Sequence, residues 1–139
     1  MPHPIMFRDD DFGLADVRLV ALGFPGASEQ IKWGRPAFCV PKMFAIYGGN
    51  VKSPGGMVPR PHSLLVKVDD ADRPALQQDR RFFLPAYLGP YGWMGMDLTA
   101  ATVDWEEVTE LLDASYRLVA PKKLVKLLDG QSGSPATPD

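Results

Sequence analysis

Cysteine and histidine are scarce in this sequence. Among 139 residues there is one cysteine, Cys39, and there are two histidines, His3 and His62. A single cysteine excludes an intrachain disulfide framework and a cysteine-based zinc cluster, and two histidines leave no imidazole-rich metal set. Long apolar runs are also missing, and none approaches the roughly 18 residues of a membrane span. Met1–Asp11 has no apolar stretch of the kind a secretory signal needs, and it carries Asp9-Asp10-Asp11 instead. The expectation is a cytoplasmic protein with no membrane association. What is present fits one globular domain. Apolar residues make up 45% and charged residues 23%, with a net charge of −2, which argues against both wholesale disorder and a polycationic binder.

Residues 1–11 read as an N-terminal tail, 12–129 as a single domain, and 130–139 as a disordered C-terminal tail of small and polar residues. A first helix is expected over Phe12–Leu22, capped by Asp10 or Asp11, with Leu14, Val17, Ala21 and Phe24 on one face. From Ser28 the period changes. Ile31 and Trp33 alternate with Lys32 as in a strand, which places Trp33 in the core. Arg35-Pro36 reads as a break, Phe38–Val40 and Met43–Tyr47 as β-rich segments separated by Pro41-Lys42, and Gly48-Gly49-Asn50 as a turn. Residues 52–63, rich in proline and glycine, read as an exposed loop, followed by a strand over Leu64–Val68. A second helix is expected over Asp69–Arg80 with Pro74 in its first turn. An extended Phe82–Leu84, a loop Leu88–Gly92 and a strand Trp93–Leu98 follow, with Met94, Met96 and Leu98 sharing a face. The third helix is the clearest. Asp104 caps it, Glu107 stands in the reciprocal position, and Trp105, Val108, Leu111, Leu112, Tyr116 and Val119 form its buried stripe. A last helix spans Pro121–Leu128 and Gly130 ends it. Short strands and grouped helices favour an α+β domain on an antiparallel sheet.

The net charge hides a segregation. Residues 30–68 hold six basic residues and no acidic one, 69–113 hold ten acids against three bases, and 114–128 hold four bases and no acid. A positive face would attract phosphates, whereas a face interleaved with the acidic helices would be neutralised. Other chemistry-bearing patterns fail. Gly48–Ser53 lacks a glycine before Lys52, and no helix can follow through Pro54-Gly55-Gly56, so it is not a phosphate loop. Cys39 lies in an apolar strand, nothing pairs it with His62, and it reads as a small packed hydrophobe. Met94 and Met96 read as core. An Asp97–Asp104 acid/base pair conflicts with the capping role of Asp104. No metal site and no cofactor motif emerges.

Three stretches carry a resemblance: Phe24-Pro25-Gly26-Ala27-Ser28-Glu29 leading to Lys32-Trp33-Gly34-Arg35-Pro36-Ala37-Phe38-Cys39-Val40 and Lys42-Met43-Phe44-Ala45; Pro85-Ala86-Tyr87 with Gly92-Trp93; and Asp104-Trp105 through Ser115-Tyr116-Arg117-Leu118-Val119-Ala120-Pro121-Lys122-Lys123. The chain resembles the MmcQ/YjbR family over nearly all of its length outside the tails. The resemblance implies an α+β fold with an antiparallel sheet flanked by helices, similar to type III secretion chaperones and CyaY-like domains. It also implies DNA binding through a double-wing motif. Two departures stand out: Pro41 precedes Lys42 where the family commonly has glycine, and the Pro/Gly-rich loop is enlarged.

The leading expectation is a non-enzymatic DNA-binding domain. Lys32, Arg35, Lys42, Lys52, Arg60, Lys122 and Lys123 would contact phosphates weakly and in a salt-dependent way, and Trp33 or His62 would reach bases or sugars. The alternative is a protein- or small-ligand-binding module anchored by Trp33, Tyr87, Tyr91 and Trp93. An enzyme ranks last, because no catalytic constellation can be named.

Overall fold

A computed structural model describes residues 4–133. Helix α1, Leu14–Ala21, precedes strands β1 (Ser28–Lys32), β2 (Arg35–Cys39), β3 (Met43–Ser53) and β4 (Gly56–Lys67). Helix α2 (Arg73–Gln77), β5 (Phe82–Phe83), a 3₁₀ turn (Gly89–Tyr91) and β6 (Trp93–Asp97) follow, and α3 (Trp105–Val119) and α4 (Lys122–Gly133) close the chain. The six strands form one antiparallel sheet in the order β1-β2-β3-β4-β6-β5. The α+β class and the antiparallel sheet expected from sequence are what the chain adopts.

Directly paired residues of antiparallel strands share a face, so the register sorts the side chains. Tyr47, Leu64, Met96 and Phe82 form a row on the inner face, against Leu14, Val17 and Ala21 of α1 and Val108, Leu112 and Tyr116 of α3. Phe24, Phe44 and Tyr116 pack their rings together, and the Tyr116 hydroxyl donates to the Pro25 carbonyl at 2.6 Å. Ser115 is wholly buried. Its Oγ donates to the Phe44 carbonyl at 2.5 Å and accepts from the Lys67 amide at 2.9 Å, which ties α3 to β3 and β4.

Several local expectations are corrected. Neither Asp10 nor Asp11 caps α1: Gly13 stands at that position in left-handed backbone, and Asp11 accepts from the Arg8 amide instead. The predicted N-terminal tail is engaged from residue 4 onward: Met6 donates its amide to Gly34 and Asp9 pairs with Arg18. Trp33 is no core residue. With Gly34 it makes the two-residue β1–β2 turn, both at positive φ, and Arg35-Pro36 opens β2 rather than breaking a strand. The region read as a turn and an exposed loop is one long hairpin of β3 and β4, reversing at Pro54-Gly55. Gly48 stands at a register shift in it, opposite the extra residues that β4 carries between Arg60 and Leu64. Pro59 and Pro61 are tolerated because β6 pairs only with Ser63–Lys67, so their outer side has no ladder to complete. Helix α2 is shorter than expected, with Pro74 in its first turn.

Asp104 does cap α3, accepting from Glu106 and Glu107 amides. The Glu107 carboxylate does not return to Asp104. It binds Arg81, which also holds Asp79, and those bonds keep the Asp79 carboxyl below its ordinary range. Gly130 does not end α4, which continues to Gly133, so the expected C-terminal tail begins later than position 130; residues 134–139 lie outside the described residues.

Ser115→Ala is expected to leave the Lys67 N–H and Phe44 C=O unpaired and to lower stability by about 1–3 kcal/mol. The midpoint of urea unfolding checks this, and an unchanged midpoint refutes the bridging role.

Candidate functional site

Helices cover only the inner face of the sheet. On the outer face a row runs across all six strands: Gln30, Ala37, Ile46, Leu65, Gly95 and Phe83. Its apolar members pack into a second, smaller core with Cys39, Trp93, Met43 and Leu88. Phe83 can lie across β6 only because position 95 is glycine, since a Cβ there would sit 2.4 Å from the Phe83 ring.

The rest of the outer face is roofed by segments that are not helices. The β3–β4 arm carries a bulge on β4 opposite Gly48. Beyond the bulge the 84–88 segment crosses it: Pro85 bridges Val51, and the Ala86 amide donates to the Asn50 carbonyl at 2.8 Å. From the other side the N-terminal segment reaches over the β1–β2 turn, with the Met6 amide on the Gly34 carbonyl at 2.8 Å. Between these walls lies a trough of about 460 Å³. Its floor is Ile46, Leu65, Gly48 and Gly49, its walls are Pro85–Leu88 and Met6 with Trp33, and Asn50 and Arg35 supply its polar groups. Trp33 and Tyr87 are 49% and 79% exposed, at φ 53° and 69°. Such backbone costs a residue with a side chain roughly 1–2 kcal/mol, so the fold holds both aromatic side chains at the trough against a local preference.

Arg35 is the one charged residue of the lining, and only 8% of it is exposed. Its Nη1 lies where a Cβ on Gly48 would be 2.5 Å away, so this glycine makes the space for the guanidinium. Desolvation lowers its pKa. Among the described residues it has no carboxylate within ion-pair distance and no side-chain hydrogen bond. The half-buried arginines do have carboxylates: Arg18 has Glu29, Arg60 has Asp97, Arg73 has Asp70 although its buried Nε has no hydrogen-bond partner among the described residues, and Arg81 has Asp79 and Glu107; the exposed Arg117 has Asp113 and Asp129.

The residues nominated from sequence separate accordingly. Trp33, Arg35 and Tyr87 meet at the trough. Tyr91 is 73% exposed outside it, and Trp93 is buried in the second core rather than presented as an anchor. Lys32, Lys52, Arg60 and His62 belong to the end of the sheet that bears the β1–β2 turn and the β3–β4 arm. Lys42 is at the opposite end, where it borders a smaller hollow with Lys67, Trp93, Leu118 and Val119. Ten residues of extended chain separate Lys42 from Lys52, on the order of 30 Å. Lys122 and Lys123 are exposed in the first turn of α4. Arg60 faces Asp97 at 3.9 Å, and half-buried His62 sets Nδ1 3.1 Å from the Tyr47 hydroxyl, which itself donates to the Phe12 carbonyl. Cys39 is buried, which raises its thiol pKa, and His62 is engaged with Tyr47 instead. Asp97 accepts from Thr99. No group of three or more His, Cys, Asp or Glu side chains suited to a metal occurs among the described residues, and no described helix is long and apolar enough to cross a membrane.

Sequence reasoning missed Met6, Asn50 and the Gly48-Gly49 floor. The glycine pair carried a signal, but of a register shift within a strand rather than of a turn.

The YjbR family model matches residues 22–118. The chain belongs to the MmcQ/YjbR family. A crystal structure of a Deinococcus radiodurans protein with the family-model domain DUF419 is similar at a TM-score of 0.54 and 22% identity, covering 76% of each chain, which supports the fold alone. No curated protein matches. In this MmcQ/YjbR domain two of the three sequence stretches that carry the family resemblance, the Trp33–Phe38 string and Pro85-Ala86-Tyr87, meet at the trough.

Arg35→Met removes a buried, unpaired charge while keeping the apolar stem. It is expected to raise the stability of the ligand-free protein by about 1–2 kcal/mol in urea unfolding. A loss of that size would instead make Arg35 part of the scaffold.

Proposed function

We propose that this chain is a non-enzymatic binding domain that takes a small ligand with an apolar body in the trough of its outer sheet face. The observation that carries this reading is the trough itself: about 460 Å³, mostly apolar, with Trp33 and Tyr87 in its walls. That combines the size and the lining of a small-molecule site. The lining holds no carboxylate, imidazole or thiol, and its one hydroxyl, the Tyr87 phenol, has no such base among the lining residues to activate it, so binding rather than bond breaking suits it. A cytoplasmic setting agrees with the unpaired thiol of Cys39.

The neutral fluorophore N-phenylnaphthylamine (NPN) should bind with enhanced emission, and Trp33→Ala and Tyr87→Ala should each weaken it roughly 5- to 30-fold. Absence of binding, or variants as tight as the parent, overturns the proposal.

A second reading is weak binding of duplex DNA. It is favoured by Lys32, Lys42, Lys52, Lys122 and Lys123, which make no ion pair among the described residues. Affinity should then fall with salt at a logarithmic slope of about −0.9 per phosphate contacted. Lys122→Ala with Lys123→Ala should flatten that slope if α4 takes part. Binding that ignores salt removes this reading.

A further inference from the structure

We infer that the trough selects a monoanionic ligand, a carboxylate carried on an apolar or aromatic body, with its head group on Arg35. The inference rests on the trough being a ligand site, as proposed above.

A guanidinium withdrawn from water without a counter-charge is costly, and proteins ordinarily pair or coordinate such groups. This chain gives a carboxylate to each of its four half-buried arginines, Arg18, Arg60, Arg73 and Arg81, although the Arg73 Nε is left without a hydrogen-bond partner among the described residues, and the exposed Arg80 needs none. Arg35 is more buried than any of them and has none. Its space is built: Gly48, at φ 91°, leaves open the volume that Nη1 borders, its direct partner across the β1–β2 turn is another cation, Lys32, and the one carboxylate of β1, Glu29, is held by Arg18. The open side of the guanidinium therefore faces the trough, where the counter-charge must come from outside the chain.

The lining also sets the size of that charge. One guanidinium among apolar and uncharged polar neighbours balances one negative charge. A dianionic phosphate would bring a second charge that nothing in the lining neutralises. A planar carboxylate matches the two-pronged donor geometry of arginine. Ile46, Leu65, Trp33 and Tyr87 then cover the apolar remainder.

Two fluorophores with the same aromatic body separate the inference from the reading beneath it: anilinonaphthalene sulfonate (ANS), a monoanion, and neutral NPN. The full chain should bind ANS roughly 10- to 100-fold more tightly than NPN. Arg35→Met should abolish that preference while still binding NPN, which also shows that the trough is intact. Arg35→Lys, which keeps the charge but loses the fork, should retain part of it. Naphthoate should displace ANS at roughly 10- to 100-fold lower concentration than its neutral methyl ester. If NPN binds but ANS is no tighter, or if Arg35→Met leaves the ratio unchanged, the anion inference fails and the trough reading stands. If neither probe binds, both fail.

Discussion

A six-stranded sheet with apolar side chains on both faces needs two covers, and this chain has helices enough for one. Helices α1, α3 and α4 close the inner face around Tyr47, Leu64, Met96 and Tyr116. Everything distinctive about the outer face follows from the missing second layer. Phe83 lies over Gly95, Leu88 and Trp93 fill beside it, and an arm, a loop and the N-terminal segment meet over the remainder. These pieces do not interlock as a helix layer would, and the gap between them is the trough. Burial there is worth roughly 25 cal/mol per Å², and since Ile46 and Leu65 are already buried, the apolar area an occupant would cover is chiefly that of Trp33 and Tyr87.

Backbone and charge irregularities gather at that gap. Trp33, Tyr87 and Gly48 all take positive φ around it, and the one buried arginine without a carboxylate sits beneath it. The inner core shows the opposite: Tyr116, Ser115 and Tyr47 each direct a hydroxyl to a backbone carbonyl, and the buried stripe of α3 is regular. Two side-chain-bearing residues held at positive φ beside an arginine without a carboxylate point to a site whose geometry is maintained for something other than stability.

The regular parts were legible from residue pattern. Asp104 with the stripe of Val108, Leu112 and Tyr116 specifies α3, and the alternation of Met94, Met96 and Leu98 specifies β6, because each has a strong period and a strong boundary. The arm was not legible. Proline and glycine between positions 48 and 63 signal a loop locally, and the strand forms only because β4 leaves the outer side of Pro59 and Pro61 free of partners, a consequence of sheet order that no local window contains. Trp33 misled for a related reason. Its alternation with Ile31 fits a strand, but Gly34 after it allows a two-residue turn, and the turn places the indole at the trough rim. The site was half legible: Trp33, Arg35 and Tyr87 were nominated, but for two different functions. A sequence reading treats arginine as a surface cation and cannot see that Gly48, thirteen positions away, has opened a place for it.

Arg35 and the lysines therefore carry different arguments despite their shared sign. Exposed lysines at opposite ends of the sheet keep their hydration and cost the fold nothing, so their presence requires no ligand. Arg35 has given up most of its water and gained no carboxylate, in a chain whose half-buried arginines each have one. Colour of charge alone would rank the lysine-rich ends first. The energetic reading ranks the buried guanidinium first, because a desolvated charge must be balanced and a solvated one need not be. Salt would screen a lysine-mediated contact at the surface far more than a carboxylate seated on Arg35 within the trough.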